Sequence, residues 1–358
     1  MKIALLSKYS RLGASSRIRT CQYVPSLQES GFDVLTLPLF DDAYLMNLYG
    51  GKGRSRQAVM RCYGNRLGSL QKLDNVDLIW LEKEAFPYVP YWIERLVFPK
   101  NIPVVADYDD AIFHNYDLSE STLLRWILGR KIEKIMAAAS TVVCGNDYLG
   151  NHARQAGARH VEILPSVLDV TRYKTGLNKK RDIPVIGWIG SPSTQKYLLE
   201  IKNVLQRVCE IGPARLILVG AMPDILEVFS EIQVEVINWE EETEAGLVSG
   251  FDIGIMPLSD NPWERGKCGY KLLQYMACGL PSVASPVGVN CHIIENNVNG
   301  YLAKTEQEWE TSLLKLIHSS DLRRQLGIAG RLKVETEYSL QSQTNRLINI
   351  LYSAVDQA

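Results

Sequence analysis

Short apolar runs alternate with amphipathic stretches along the whole chain of 358 residues. Runs of this length, bounded by polar turns and followed by helical spacing, are typical of parallel strands covered by helices. The runs that predict strands are KIALLS, FDVLTLPL, DLIWLE, PVVADYD and STVVCG in the first half, and PVIGWIG, RLILVG, VEVINW, DIGIMPL and PSVAS in the second. Two such sets predict an α/β protein with two doubly wound, Rossmann-like domains, and ligands tend to bind in a cleft between domains.

The boundary between the two sets is predicted at Leu164 to Pro184, in the stretch LPSVLDVTRYKTGLNKKRDIP. It has prolines near both ends and a basic, polar middle without apolar periodicity, which is typical of a linker. After Ser319 the chain is predicted to be helical to its end, because SLQSQTNRLINILYSAV spaces its apolar residues at helical intervals.

Composition narrows the class of protein. The chain is 46% hydrophobic and 22% charged with a formal net charge of -1, which argues against a nucleic-acid binder. Its seven cysteines are scattered without any C-x-x-C pair, as expected for reduced thiols in the cytoplasm. The apolar run at Ile3 to Leu6 is too short for a signal peptide, and no run approaches a spanning helix. We expect a cytoplasmic protein that at most lies on the inner face of a membrane.

Two strand-to-helix turns offer anion sites. SKYSRLGASSRIRT places Gly13 before a helix, where backbone N–H groups are exposed at the positive end of the helix dipole, although it lacks a G-x-G-x-x-G fingerprint. PVIGWIGSPSTQKYLLEI places Gly190 in a similar turn and Lys196 in the first helical turn, where a cation opposes the dipole unless an anion binds. The alternatives are a tight turn at the first position and helix capping by Ser193 or Thr194 at the second.

The stretch ERGKCGYKLLQYMACGLPSVASPVGVN carries the strongest signal. Lys267 and Lys271 are one helical turn apart, and Gly266 and Gly269 permit close backbone approach. The helix is predicted to bury Leu272, Leu273, Met276 and Ala277, to end at Cys278-Gly279, and to be followed by a strand after Pro281. We interpret the lysines as a phosphate site, the alternative being a solvated pair on a surface helix.

These residues resemble the nucleotide-sugar signature of glycosyltransferase family 4, whose members are retaining enzymes of the GT-B fold. The resemblance rests on KCGYKLLQYMACGLPSVASPVGVN with IIENNVNGYLA, and on three supporting pieces: ASSRIRTCQYVPSLQESGFDV, PVVADYDDAIFH and FDIGIMPLSDNPWERGKCGYK. It covers nearly the whole chain. It implies two domains facing a central cleft, residues 1–168 with a returning C-terminal helix at 338–358 for the acceptor and residues 169–337 for the donor.

The resemblance implies a donor site without a metal or another cofactor, occupied by a UDP- or GDP-sugar. Lys196 and either Lys267 or Lys271 would neutralise the diphosphate leaving group, which lowers the barrier directly. The residues assigned to the donor are Gly13, Gly190, Lys196, Lys267, Cys268, Gly269, Tyr270, Lys271 and Gln274. The sequence departs from the family's Glu-x7-Glu pattern, since these positions hold Gly266 and Gln274, and from its arginine at Ser191. A side-chain amide can still bind ribose, whereas Glu264 or backbone groups must contact the sugar.

The segment VVADYDDAIFH supplies candidate catalytic groups. Crowded carboxylates repel one another and raise each other's pKa, so Asp107, Asp109 and Asp110 need a reason to lie together. We assign Asp109, Asp110 and His114 to catalysis, where one of them helps deprotonate the attacking hydroxyl, and Asp107 with Arg17 to the acceptor. The alternative is that Asp109 or Asp110 caps a helix. No metal is predicted, because lysines serve the phosphate.

A stretch without acidic residues runs from Ala43 to Leu73. Its basic residues are Lys52, Arg54, Arg56, Arg61, Arg66 and Lys72, interspersed with Tyr44, Leu45, Met46, Leu48, Tyr49, Val59, Met60 and Leu67. Such a surface suits the headgroup region of an anionic membrane, and LLRWILGRKIEKIM at Leu123 to Met136 extends it. An ordinary surface helix with a glycine-rich loop is the alternative.

Taken together, the sequence predicts an enzyme that transfers a hexose-type sugar from a nucleotide sugar to a hydroxyl acceptor. The acceptor would be lipid-linked or a growing glycan, in bacterial surface polysaccharide or glycolipid assembly. Two alternatives stay open. One is a sugar-nucleotide or polysaccharide-binding partner with weakened catalysis, which Gly266 and Gln274 make conceivable. The other is a sugar-nucleotide epimerase of the same fold, which needs no acceptor.

Overall fold

The computed structural model describes residues 1–49, 55–73, 75–175 and 181–357. The chain divides into two compact units. The first unit comprises Met1–Ser166, Gly266–Cys268 and Gln343–Ala358, and the second comprises Val167–Arg265 and Gly269–Ser342. Each unit is built on a six-stranded sheet in which every pairing is parallel. The prediction of an α/β protein with two Rossmann-like domains is therefore confirmed.

The strands are β1 Lys2–Leu6, β2 Asp33–Thr36, β3 Leu78–Glu82, β4 Val104–Tyr108, β5 Thr141–Cys144, β6 Val161–Ile163, β7 Val185–Ile189, β8 Arg215–Val219, β9 Val234–Ile237, β10 Ile253–Met256, β11 Ser282–Ala284 and β12 Gly300–Leu302. The helices are α1 Ala14–Arg19, α2 Val24–Glu29, α3 Asp42–Tyr49, α4 Arg56–Leu70, α5 Tyr91–Val97, α6 His114–Asp117, α7 Thr122–Leu128, α8 Lys131–Ala138, α9 Asp147–Gln155, α10 Lys196–Glu200, α11 Lys202–Ile211, α12 Ile225–Val228, α13 Glu241–Ser249, α14 Pro262–Arg265, α15 Tyr270–Ala277, α16 Asn290–Ile293, α17 Glu306–His318, α18 Ser320–Glu337 and α19 Leu340–Asp356.

Strand order places one switch point in each sheet. The first sheet has the order β2-β1-β3-β4-β5-β6, so the connections on the two sides of β1 run in opposite directions. The second sheet has the order β12-β11-β10-β7-β8-β9, with the reversal between β7 and β10. Open α/β sheets bind ligands outside the carboxyl ends of the strands at such a reversal. The loops after β1 and β3, and those after β7 and β10, are thus the candidate ligand loops.

The apolar runs explain the strands. All of β3 and all of β7 are buried, as expected for parallel strands with helices on both faces. In the second unit, separate buried clusters form around Tyr275 and around Trp188. Each of the ten predicted runs contains a strand. The sequence analysis missed only β6 and β12, two edge strands of three residues each, which are too short to show a pattern.

The helix after the second glycine of the signature begins later than predicted. It starts at Tyr270, and Gly269 precedes it in the left-handed conformation, with φ of 67°. Lys267 therefore lies outside α15, and the expectation that Lys267 and Lys271 occupy successive turns of one helix is wrong. The two lysines also belong to different units. The buried face of α15 and its end at Cys278 are as predicted.

The C-terminal region is helical from Ser320 to Asp356 apart from a short break, as predicted. Most of α19, from Gln343 onward, belongs to the first unit. Among the described residues, no helix is long and apolar enough to span a membrane.

Candidate functional site

In the first unit, charged side chains gather where β1, β3 and β4 end. Parallel strands bring their carboxyl ends to one edge of the sheet, so residues distant in sequence meet there. Lys83 follows β3 and is only 5% exposed, yet its Nζ lies 2.9 Å from Asp109 Oδ1, 3.7 Å from Asp110 Oδ2 and 2.8 Å from Ser15 Oγ. Lys8 follows β1, and its backbone N–H donates to Glu82 Oε2 at 3.1 Å. We call this group the charged edge.

The two adjacent carboxylates of the charged edge have opposite pKa shifts. Burial disfavours the charged form of Asp109, but the cations of Lys83 and Arg19 outweigh burial and hold its pKa below the usual value. Burial and the charge of Asp109 raise the pKa of Asp110, whose side chain is 34% exposed. A carboxylate with a raised pKa and access to solvent is a better proton acceptor than a neighbouring carboxylate whose pKa is lowered.

Backbone strain marks the same loop. Lys83 has φ of 66° and Tyr88 has φ of 61°, in the left-handed region that side-chain-bearing residues rarely adopt. Strained positions persist where the surrounding contacts fix them and are concentrated at functional sites. The strain at Lys83 is offset by its buried ion pairs, so the loop holds the ammonium group in place.

The segment Gly266–Cys268 is part of the first unit. Asn146 caps α9 with its side-chain oxygen, and its Nδ2 donates to the carbonyl oxygens of Gly266 and Lys267 at 3.0 Å each. Cys268 Sγ lies 3.1 Å from the carbonyl oxygen of Asp109, and burial raises the pKa of this thiol to about 12. The attraction between Lys267 and Asp110 lowers the pKa of the latter, against the larger effect of burial. Lys267 is therefore part of the charged edge.

The missing glutamate of the family pattern has a steric explanation. A Cβ on Gly266 would lie 2.5 Å from Ala111 Cβ and 2.8 Å from the backbone nitrogen of Ala111. Contacts this short do not occur for real side chains, so any larger residue would have to displace the backbone. Gly266 is thus required for packing of this segment.

In the second unit, Lys271 is held at the switch point. Its Nζ lies 4.4 Å from the centroid of the Trp188 ring and 3.4 Å from Thr194 Oγ1. A Cβ on Gly190 would lie 2.7 Å from this ammonium group, so the glycine makes room for it. Gly220 allows an equally close approach, because its own Cβ would lie 2.3 Å from the carbonyl oxygen of Gly190. The result is a small-residue turn with a fixed cation beside it, a suitable phosphate site.

The turn after β7 is capped differently from the prediction. Neither Ser193 nor Thr194 caps the helix, since the N-cap of α10 is Gln195. Ser191 precedes the 3₁₀ turn at Pro192–Thr194 and forms a capping box with Thr194. Lys196 is the first residue of α10, as expected, and it is exposed with its Nζ 5.0 Å from the Tyr197 ring.

Glu264 is a buried carboxylate beyond β10. It is 3% exposed, and Oε1 accepts a hydrogen bond from the Tyr197 hydroxyl. Within the described part of the chain, Oε2 has no hydrogen-bond partner although it is buried. A buried carboxylate oxygen without a donor is costly, and a ligand hydroxyl would satisfy it.

Several predicted residues have structural partners of their own. Asp107 was expected to contact the acceptor, but its side chain is 1% exposed. It accepts hydrogen bonds from Arg19 Nε at 2.6 Å and from Trp80 Nε1 at 3.1 Å. Gln274 is 3% exposed, and its Nε2 donates to the Tyr173 hydroxyl at 3.2 Å. In this conformation both side chains form hydrogen bonds with buried residues, so their assigned contacts with acceptor and donor stay predictions.

Other assigned residues are placed as follows. His114 has both ring nitrogens occupied, with Asp117 Oδ1 and the Tyr148 hydroxyl each at 2.9 Å. Arg17 is 6% exposed in α1, and Gly13 precedes α1, where a Cβ would lie 2.3 Å from Tyr9 Cβ. Asp109 and Asp110 do not cap α6, whose N-cap is Phe113, so the capping alternative is excluded for this helix.

The predicted basic and apolar surface at Ala43 to Leu73 is only partly a surface. Tyr44 and Leu45 are buried, and Arg66 is 2% exposed with its Nη2 donating to the carbonyl oxygen of Ser7 at 2.6 Å. Arg61 pairs with Asp41 at 3.1 Å. Lys52 and Arg54 lie outside the described residues. Those parts of the prediction that concern Tyr44, Leu45 and Arg66 are wrong.

Sequence reasoning missed Lys83, Lys8 and Asn146. The signal for Lys83 was present, because Glu82-Lys83-Glu84 directly follows the apolar run LIWL, where charged residues are unexpected unless they serve a site. A cavity of about 670 Å³ is lined by Arg95, Lys100, Arg159 and His160 among others, at the opposite edge of the first sheet. It is not part of the charged edge. Among the described residues, no group of three or more histidine, cysteine or acidic side chains could hold a metal ion.

The two parallel six-stranded sheets, each in its own unit, have the architecture of the GT-B fold. Residues 183–319 match the model of the family described as glycosyl transferases group 1. The match covers the switch point of the second sheet, including Gly190, Lys271 and Glu264.

Comparisons with particular proteins agree. The chain is 22% identical over 195 residues to N-acetyl-alpha-D-glucosaminyl L-malate synthase of Bacillus anthracis, an alignment that spans 52% of this chain and about half, 50%, of that relative. It is similar in fold to HepE of Anabaena in complex with UDP, with a TM-score of 0.74, 17% identity and coverage of 99% and 100% of the two chains. It is also similar to sucrose-phosphate synthase from Thermosynechococcus elongatus, with a TM-score of 0.76, 14% identity and full coverage of both chains.

Proposed function

We propose that this protein is a glycosyltransferase that moves a sugar from a nucleotide-sugar donor to a hydroxyl acceptor, with retention of anomeric configuration and without a metal. The observation that carries the proposal is the site around Lys271, a cation fixed beside the turn at Gly190 and Thr194, at the switch point of the second sheet and within the segment that matches the glycosyl transferases group 1 model. Support for a nucleotide donor comes from HepE, which was solved in complex with UDP and with UDP-glucose.

On the donor side, the second unit would hold the diphosphate. Bond cleavage between sugar and phosphate leaves negative charge on the departing nucleotide, and the Lys271 ammonium group stabilises that charge as it develops. Backbone N–H groups of the turn at Gly190 add dipoles of the right sign. The unpaired Oε2 of Glu264 would accept a hydrogen bond from a hydroxyl of the donor sugar.

On the acceptor side, the first unit would supply the base. Asp110 is more exposed than Asp109 and has the raised pKa, so it takes the proton from the attacking hydroxyl. Asp109, ionised by its contact with Lys83, keeps the local field fixed. Lys83 itself is a positioning residue, because its contacts go to the carboxylates and to Ser15.

The test is nucleotide release from UDP- and GDP-sugars by the purified full chain. A glycosyltransferase releases free nucleotide slowly with water as the acceptor, and release accelerates when a suitable hydroxyl acceptor is added. Binding of nucleotide without release would favour the sugar-nucleotide-binding partner, and conversion of the donor sugar without an acceptor would favour the epimerase. Proton NMR of the glycoside product then decides retention, since an inverted anomeric configuration would contradict that part of the proposal.

The biological role, proposed on the resemblance alone, is assembly of bacterial surface polysaccharide or glycolipid. The acceptor would then be lipid-linked or a growing glycan, and the enzyme would work in the cytoplasm at the inner face of the membrane.

A further inference from the structure

The first unit contains a cavity of about 670 Å³, and none of the described residues that line it belongs to the charged edge or to the site around Lys271. It is bounded by the end of α5 and the chain that leads to β4, by the end of α8, and by the residues just before β6. Its volume is within the range of about 300 to 1,000 Å³ that is usual for small-molecule sites. The cavity is therefore large enough for a ligand that sugar transfer does not use.

The lining of this cavity extends from the surface into the core of the first unit. Lys100 and Arg159 are exposed at the outer end, whereas Leu81 and Ile135 at the inner end are 2% and 6% exposed. Leu81 belongs to β3 and Ile135 to α8, so regular secondary structure forms the inner wall. A preformed wall of this kind lowers the cost of ordering that binding would otherwise incur.

Three cations from separate segments line the cavity. Arg95 is on α5, Lys100 is in the loop before β4, and Arg159 precedes β6. Each is exposed, and none forms an ion pair or a side-chain hydrogen bond with another residue in the described part of the chain. Solvated surfaces normally mix both signs of charge, so three unpaired cations around one concave space indicate an anion site. We call the cavity with these three residues the basic cavity.

The one acidic side chain among the described lining residues is already compensated. Glu94 is 4% exposed, and its Oε2 lies 3.0 Å from Nζ of the buried Lys131. Its other oxygen accepts a hydrogen bond from the Ala85 backbone N–H at 3.1 Å. Burial raises the pKa of Glu94, which favours the neutral form of this side chain. Glu94 therefore does not cancel the positive charge at the outer end of the basic cavity.

The uncharged polar residues of the lining favour a hydrophilic anion. Asn101 and Gln357 offer side-chain amides. Ser140 accepts a hydrogen bond from the Val104 backbone N–H at 3.3 Å, which leaves its own hydroxyl hydrogen to donate. Guanidinium groups present several N–H donors in a planar fork that matches phosphate oxygens, and a lysine ammonium binds phosphate as a point charge. Phosphate compounds have the charge and the acceptor oxygens that such a lining requires.

We propose that the basic cavity binds a small compound with at least two phosphate groups, such as pyrophosphate or a sugar bisphosphate. A nucleic acid fits poorly, because the formal net charge of -1 provides no long-range attraction for a large polyanion and the cavity is concave. This inference does not rest on the proposed function, since none of the described lining residues is assigned to sugar transfer. The two can therefore fail separately.

The experiment is titration calorimetry of the full chain with pyrophosphate, fructose bisphosphate and inorganic phosphate, at low and high salt. Pyrophosphate also suits the site around Lys271, so K271M is titrated in parallel. We expect K271M to retain binding of pyrophosphate and fructose bisphosphate that weakens with salt, and to bind inorganic phosphate at least about tenfold more weakly than either. Adding R95Q/R159Q to K271M should weaken binding of both compounds at least about tenfold, because charge-assisted hydrogen bonds are lost.

The matched control removes two exposed cations of the first unit that do not line the cavity. R56Q/K134Q changes residues of α4 and α8, alters the net charge as much as R95Q/R159Q does, and should leave binding unchanged. A138F keeps the charge but narrows the cavity, because Ala138 is an exposed lining residue at the end of α8, and it should weaken binding as R95Q/R159Q does. An equal loss in R56Q/K134Q, or unchanged binding in A138F, would overturn the proposal.

Hydrogen exchange locates the bound compound. Pyrophosphate should slow exchange of the amides in the loop at 98–102 and at 159–160 of K271M, which line the cavity, and R95Q/R159Q should abolish this protection. Absence of binding to K271M at low salt, or protection confined to other segments, would also overturn the proposal. Binding in the basic cavity without nucleotide release from sugar donors would instead count against the proposed function alone.

Discussion

Replacement of Lys83 by methionine tests whether the charged edge is held together by one buried cation. Methionine keeps a long unbranched side chain and the same backbone strain, so the change removes chiefly the charge. Lys83 is 5% exposed and Asp109 is 12% exposed, with 2.9 Å between Nζ and Oδ1. Removing one partner of such a pair leaves an uncompensated buried charge, which costs about 3 to 5 kcal/mol.

Protonation of Asp109 limits that cost. A carboxyl group with a reference pKa of 3.8 can be neutralised for about 4 kcal/mol at about pH 7 and about 1.6 kcal/mol at about pH 5, since one pKa unit is worth about 1.36 kcal/mol. Asp110 is 34% exposed, so solvent screens its share and it adds little. We therefore expect K83M to lower the free energy of unfolding of the first unit by about 3 kcal/mol near pH 7, and by at most about 1.6 kcal/mol near pH 5.

The direction of this pH dependence follows from the linkage between proton binding and folding. In the unchanged chain the pKa of Asp109 is depressed, so its contribution is present above the unfolded pKa and lost only as pH falls through the lower folded pKa. In K83M the attraction of Lys83 is gone and only that of Arg19 remains against burial, so we expect the pKa of Asp109 to rise and the variant to become relatively more stable as pH falls. The assay is hydrogen exchange of the amides of β3 and β4 at the two pH values, which reports unfolding of the first unit alone.

Two further variants make the result decisive. K83M/D109N should recover much of the lost stability, because the unpaired charge is gone. K131M removes another buried cation, which contacts Glu84 and Glu94 outside the charged edge, and should cost similar stability without changing turnover per folded molecule. A cost below about 0.5 kcal/mol, the range of exposed pairs, or a cost that does not shrink at low pH would refute the reasoning.

Three other predictions concern Lys271 and Glu264 of the second unit and Asp110 of the charged edge. K271M should weaken binding of nucleoside diphosphates, measured by calorimetry, by about 1.5 to 3 kcal/mol, the range for hydrogen bonds to charged groups. The control K315M removes another ammonium group that lies beside an aromatic ring, 5.7 Å from that of Tyr301, and should leave this binding unchanged. E264Q should raise KM for the nucleotide sugar and leave the affinity for the free nucleotide unchanged; an equal loss of both would contradict sugar contact. D110N should cut turnover by about 10² or more. D110N should not lower Tm, because the pKa of Asp110 is raised and its ionised form therefore destabilises the folded chain at neutral pH. A large fall in Tm would show that Asp110 has a structural role.

The sequence was sufficient for elements whose signal is local. β3 and β7 are continuous apolar runs that remain buried on both faces, so their sequences are incompatible with surface helices. The helix α15 shows its apolar face and its end at Cys278 in the residues themselves. By contrast, β6 and β12 lie at sheet edges, where only one neighbour constrains the strand and a short, partly polar segment suffices.

The charged edge was less accessible to sequence reasoning because it depends on strand order. Lys83 and Asp109 are neighbours only because β3 pairs with β4 in parallel register, with Glu82 opposite Asp107. Lys267 was assigned together with Lys271 from their spacing, but hydrogen bonds from Asn146 hold its backbone to the first unit. Such contacts join residues more than a hundred positions apart, and spacing within one segment carries no information about them.

The departure from the Glu-x7-Glu pattern then has a physical interpretation rather than indicating decay of an active site. Gly266 cannot carry a side chain, because a Cβ there would meet Ala111 at 2.5 Å. The nearest upstream carboxylate, Glu264, is buried with one oxygen bonded to Tyr197 and the other without a partner among the described residues. A chain that had lost its ligand would have little reason to retain such an oxygen, since its desolvation costs about 1 to 3 kcal/mol. Glu264 is therefore the side chain that we expect to take over sugar contact.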